Sequence, residues 1–157
     1  MSAQTVASTP GGVAGVRLRY ALIPLHGYGI AVATVNRMLD PEATGEARVL
    51  GAGENLPYGA QPVLVADTTV WAAMRVEEML RSWGPLPKPW LVLVADAPAT
   101  PAAAARYRLR ALEGRLAGTA SVPYLAVLRA VEGPEEALEH KDVRVAADRL
   151  RRRMERK

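Results

Sequence analysis

Apolar and polar positions along the chain follow two alternating rhythms. Residues 17–23 start as a polar–apolar alternation through Arg17, Leu18, Arg19 and Tyr20, then turn continuously apolar up to Ile23. That is the pattern of a strand running into a buried sheet. A loop bearing Gly27 and Gly29 follows, and then Ala31, Val35 and Leu39 recur at about one helical turn. Asp40-Pro41 stops that helix. Residues 42–61 are polar and glycine-rich and read as a long surface loop, with a short strand possible at 48–50. Residues 62–66 form a second buried-type strand ending at Asp67, and Thr68 or Thr69 can cap the next helix. That helix carries Ala72, Val76, Met79, Leu80 and Trp83 on one face and ends at Gly84-Pro85.

The rhythm then repeats. Residues 90–95 read as a strand ending at Asp96, and Thr100-Pro101 opens a helix with Ala105, Leu109, Leu112 and Leu116 inward. Residues 123–131 read as the last strand. Pro134-Glu135-Glu136 then begins a terminal helix reaching about residue 156, with acids placed well for the helix dipole. Val-Leu-Val-Ala-Asp occurs twice, at 63–67 and 92–96, as two parallel strands under one packing constraint would require. The alternation predicts a three-layer α/β fold, with a mostly parallel sheet of four to five strands and helices on both faces. It divides into a disordered tail over 1–16, an α/β domain over 17–133 and a basic amphipathic helix over 134–157.

Composition narrows the chemistry. The chain has 157 residues, no Cys and only His26 and His140. Disulfides, thiolate sites and histidine metal clusters are therefore excluded, and no metal or cofactor is expected. No apolar run reaches membrane-spanning length, and residues 1–16 lack a signal-peptide pattern, so the reading is cytoplasmic. Of the net charge of +4, the segment 140–157 supplies +5 through eight basic and three acidic residues. The body is nearly neutral, and the basic character belongs to the terminal helix.

In a parallel α/β sheet, ligands sit beyond the carboxyl ends of the strands. The sequence places His26, Gly27, Tyr28 and Gly29 there, together with Asp67, Asp96 and Pro98. A phosphate-binding loop needs a Lys against the phosphates and a hydroxyl on Mg²⁺. Counting back from Thr34, those positions hold Val32 and Ala33. As a dinucleotide fingerprint, Gly27-x-Gly29-x-x-Val32 lacks its third glycine.

These stretches carry a resemblance. Residues 26–39, 62–67 and above all 91–98 (LVLVADAP) are similar to a reduced MinD/ParA-type P-loop protein, among uncharacterised bacterial proteins often linked to mobile elements. The resemblance implies a P-loop-like fold and carries Asp96 and Pro98 to the base-contacting loop. The altered phosphate loop argues against ATP hydrolysis, and no catalytic residue is assigned.

The terminal helix offers a second surface. Val143, Ala147, Leu150 and Met154 step by four, three and four residues, a narrow stripe of the kind used in helix docking. Arg149, Arg151, Arg152, Arg153 and Arg156 form a basic patch around it. The leading expectation is a non-catalytic, P-loop-derived interaction protein. It would dock onto a protein partner or a second copy through the old nucleotide-site edge, the terminal helix or both. The alternatives are a divergent nucleotide-binding ATPase of the MinD/ParA type and a nucleic-acid-binding accessory factor of a mobile element using the arginines.

Overall fold

The structure is a computed structural model that describes residues 17–25 and 29–156. The predicted tail over 1–16 and His26, Gly27 and Tyr28 of the glycine loop lie outside the described residues. The strands are β1 (Tyr20–Pro24), β2 (Ala47–Val49), β3 (Gln61–Asp67), β4 (Trp90–Val94) and β5 (Gly118–Val122). The helices are α1 (Ile30–Leu39), α2 (Val70–Arg81), α3 (Ala103–Ala111), α4 (Pro134–Ala137) and α5 (Lys141–Glu155). All five strands are parallel and lie in the order β2-β1-β3-β4-β5. This is one of the common doubly wound orders.

Strand alternation divides the core between the two faces. Leu22, Val63, Val65, Val92, Ala120 and Val122 meet α1, α4 and α5 on one face. Leu64, Ala66 and Leu91 meet α2 and the segment after α3 on the other. Successive side chains of a strand point to opposite faces, so the continuous apolar runs of β3 and β4 feed both layers. Trp90 also needs room beside β5. A Cβ on Gly118, its register partner, would lie 2.5 Å from the indole ring.

Two predicted elements are corrected. The last strand is not at 123–131 but begins at Gly118, and Ala126–Arg129 is a short 3₁₀ helix. Pro123 has no N–H to continue the ladder, and Gly118, Thr119, Ala120 and Ser121 carry too little apolar weight to announce a strand. The terminal helix is two helices, α4 and α5, separated by a turn at 138–140. A continuous helix would place Ala137 and Val143 about 120° apart around its axis. The turn lets both face the sheet, each fully buried. The short strand expected at 48–50 is β2, and the turn before it is fixed by Asp40. The buried Asp40 carboxylate accepts hydrogen bonds from the Thr44, Gly45 and Ala47 amides and the Thr44 hydroxyl. Burial works against its charge, but these donors outweigh it and hold the carboxyl below the usual range.

Candidate functional site

The chain leaves β1 toward one face, through α1, and leaves β3 toward the other, through α2. The topological switch point therefore lies between the carboxyl ends of β1 and β3, where doubly wound folds open a crevice. Gly29 caps α1 in an extended conformation with no side-chain cap. On the opposite wall, Thr69 caps α2 by accepting from the Ala72 amide at 3.0 Å.

The predicted strand-end acids are both tied into this frame. Asp67 Oδ1 accepts from the Thr69 amide at 3.0 Å and the Thr69 hydroxyl at 2.6 Å. Asp96 Oδ1 accepts from the Thr68 hydroxyl at 2.7 Å, bridging the ends of β3 and β4. That bond is the main reason the Asp96 carboxyl lies below its ordinary range. Both acids thus hold turns together. Pro98 is exposed in the loop beyond β4.

The phosphate-loop alignment changes meaning in three dimensions. Val32, at the Lys position, is buried in the core between α1 and the sheet. The same packing explains why the third fingerprint glycine can be a Val. Thr34 is 1% exposed, so it is interior and not presented at a phosphate site. Sequence reading missed Arg75, whose Nε donates to the Leu25 carbonyl at 3.3 Å and whose guanidinium lies 5.5 Å from the Trp71 ring centroid. The i, i+4 spacing of Trp71 and Arg75 was the available signal. It showed that the two could meet, but not that they do so at the end of β1.

The apolar stripe of the terminal helix is corrected outright. Val143, Ala147, Leu150 and Met154 are all buried in the chain's own core against the sheet and α1. Arg151 leaves the basic patch as well. It pairs with Asp148 and donates to the Met38 carbonyl at 2.7 Å, fastening α5 to α1. Arg149, Arg152, Arg153 and Arg156 remain exposed.

The uncovered apolar surface lies on the other face of the sheet. Among the described residues, β2 to β3 is the one crossover without a helix. Its loop packs Leu50 and Ala60 on Ala21, with Leu56 partly covered. A cleft of about 760 Å³ remains between this loop and α2. Ile23 and Leu50 form its floor, Leu56, Met79 and Trp83 its walls, and Leu86 its rim. The walls are braced. Glu54 pairs with Arg48 at 2.8 Å and accepts from the Gly51 amide at 2.9 Å, while Trp83 Nε1 donates to the Pro87 carbonyl at 2.9 Å. The Arg48 hydrogen bonds are the main cause holding the Glu54 carboxyl below its usual range.

Comparison with protein families, curated proteins and solved structures gives no match. Among the described residues there is no helix long and apolar enough to cross a membrane, and no group of three metal-ligating side chains.

Proposed function

We propose that the protein is a non-catalytic, P-loop-derived interaction module that docks an amphipathic helix of a partner protein into the cleft beside α2. The carrying observation is the apolar cleft left between α2 and the β2–β3 loop, the one crossover among the described residues that lacks a helix. A doubly wound sheet is ordinarily covered by helices on both faces. A partner's helix would complete the layer that α2 and α3 begin. Leu86 is 44% exposed at the rim, so it is available without unfolding anything. Each large apolar side chain covered there would contribute roughly 1.5–3 kcal/mol.

The test places a photocrosslinking residue at Leu86 and, as a control, at Tyr107, which is 77% exposed on α3. The reading expects adducts from position 86 whose peptides show apolar residues at helical spacing. A peptide from this same chain would replace the partner with a second copy. Adducts formed equally from position 107 would refute a specific cleft.

Arg75 favours a second reading, a divergent nucleotide-binding protein. It brings a cation to the end of β1, where it also pairs with Glu78 at 3.4 Å, and the start of α1 has no side-chain cap. A cation and a helix N-terminus without a side-chain cap are elements of an anion site. A micromolar site saturated a hundredfold would add about 2.7 kcal/mol of stability. The interaction reading expects no melting shift with millimolar ATP or GTP and Mg²⁺. A rise of several degrees that disappears in Arg75→Gln would establish the second reading.

A further inference from the structure

We propose that the outward face of α5 is a nucleic-acid-binding ridge that grips the phosphate backbone without reading sequence. Arg149, Arg152 and Arg153 stand at i, i+3 and i+4 on α5, and Arg156 follows at i+7 as its C-cap residue, so the four form one ridge over about 10 Å. With Glu155 they line a shallow groove of about 550 Å³ at the amino-terminal end of the sheet.

Three observations set this ridge apart from an ordinary solvated helix end. First, it keeps an excess of positive charge, four arginines to one acid. Arg149, Arg152 and Arg156 make no ion pair among the described residues. Of the nearest acids, Asp148 pairs with Arg151, and Glu155, which lines the same groove, lies 3.9 Å from Arg19. Second, it is held in place. Val143, Ala147, Leu150 and Met154 bury the reverse side of the helix, so a ligand would not have to order it. Third, aromatic rings flank the ridge. The Arg153 guanidinium is held 5.2 Å from the ring centroid of the buried Trp90. At the other end, Arg149 shares a smaller groove with the half-buried Tyr124 and with Asp142, and a base could stack on the tyrosine there.

The ridge consists of planar guanidiniums, which match phosphate oxygens in a fork. Regularly spaced anions are what a nucleic-acid backbone supplies. This inference is independent of the cleft, which lies on the opposite face of the sheet.

The experiment measures binding of the full chain to fluorescent single-stranded and duplex 20-mers of mixed sequence between 50 and 200 mM salt. Four phosphate contacts give a slope of log K against log[salt] of about −3.6 on duplex, or roughly a hundredfold loss over that range. Single strands give about −2.8. The double variant Arg152→Gln/Arg156→Gln should roughly halve the slope and weaken binding at least tenfold at low salt, with its thermal midpoint unchanged. Arg106→Gln/Arg110→Gln, on exposed positions of α3, should change nothing. Tighter binding to the single strand, reduced by Tyr124→Ala, would place a base on that ring. Tighter binding to duplex would assign the ridge to phosphates alone. The inference is overturned if neither nucleic acid binds at 50 mM salt, or if the α3 variant weakens binding as much as the α5 variant. It is equally overturned if polyglutamate or anionic vesicles compete as well as an equal charge of DNA, which would make the ridge a general anion contact.

Discussion

Replacing Leu150 by Ala tests whether α5 is part of the domain's core or a separable arm. Leu150 is 1% exposed and packs in the cluster that joins α1 and α5 to the sheet. A Leu→Ala change at such a site loses the transfer energy of the removed carbons and leaves a cavity, together costing about 3–5 kcal/mol. Domains of this kind typically hold about 5–15 kcal/mol in all, so the loss is a large share. Urea unfolding followed by helical circular dichroism gives the measurement. With a denaturant slope of about 2 kcal/mol per molar, the midpoint should fall by about 1.5–2.5 M. Arg152→Gln, on the exposed side of the same helix, should stay within about 0.5 kcal/mol. A Leu150→Ala shift below about 0.3 M would mean that α5 can leave without loss to the domain, and its stripe would again be a docking element.

Gly118→Ala should cost about 1–3 kcal/mol, because its Cβ would meet the Trp90 ring at 2.5 Å. A displaced indole emission together with a lower melting temperature would confirm it. Asp40→Ala should cost about 1–3 kcal/mol by stranding the amides of the α1–β2 turn, read as a lower urea midpoint. The Asp40 carboxyl is held below its ordinary range in the folded state. Its stabilisation is therefore complete above the unfolded value of about 3.9 and is lost as pH falls through the lower folded value. The gap between wild type and Asp40→Ala should be constant near neutral pH and shrink under acid.

Much of the fold was legible because parallel strands buried on both faces announce themselves as apolar runs. β1, β3 and β4 were found that way, and the Thr69 cap and the α2 stripe gave the helix between β3 and β4. β5 was missed because Gly118, Thr119, Ala120 and Ser121 carry little apolar weight. Their strand conformation depends on pairing with β4, a tertiary constraint. The α5 stripe is legible as a pattern but not as a surface. A narrow stripe can be buried within its own chain when α1, β5 and the sheet close around it, and periodicity alone cannot say whose surface covers it. The strand-end residues were placed at the expected edge, yet Asp67 and Asp96 proved to be occupied by Thr69 and Thr68. The cleft was not legible at all. It arises from the missing helix between β2 and β3, in a stretch that reads only as polar loop.

Binding of the crosslinked partner segment, made as a synthetic labelled helix, to the purified full chain tests the docking proposal most directly. Fluorescence anisotropy would compare wild type with Leu86→Asp and with Tyr107→Ser. The account predicts saturable binding that weakens at least tenfold in Leu86→Asp, with no change in Tyr107→Ser and no change in the melting temperature of either variant. Binding that ignores Leu86→Asp, or that is lost only on mutating the arginines of α5, would contradict it.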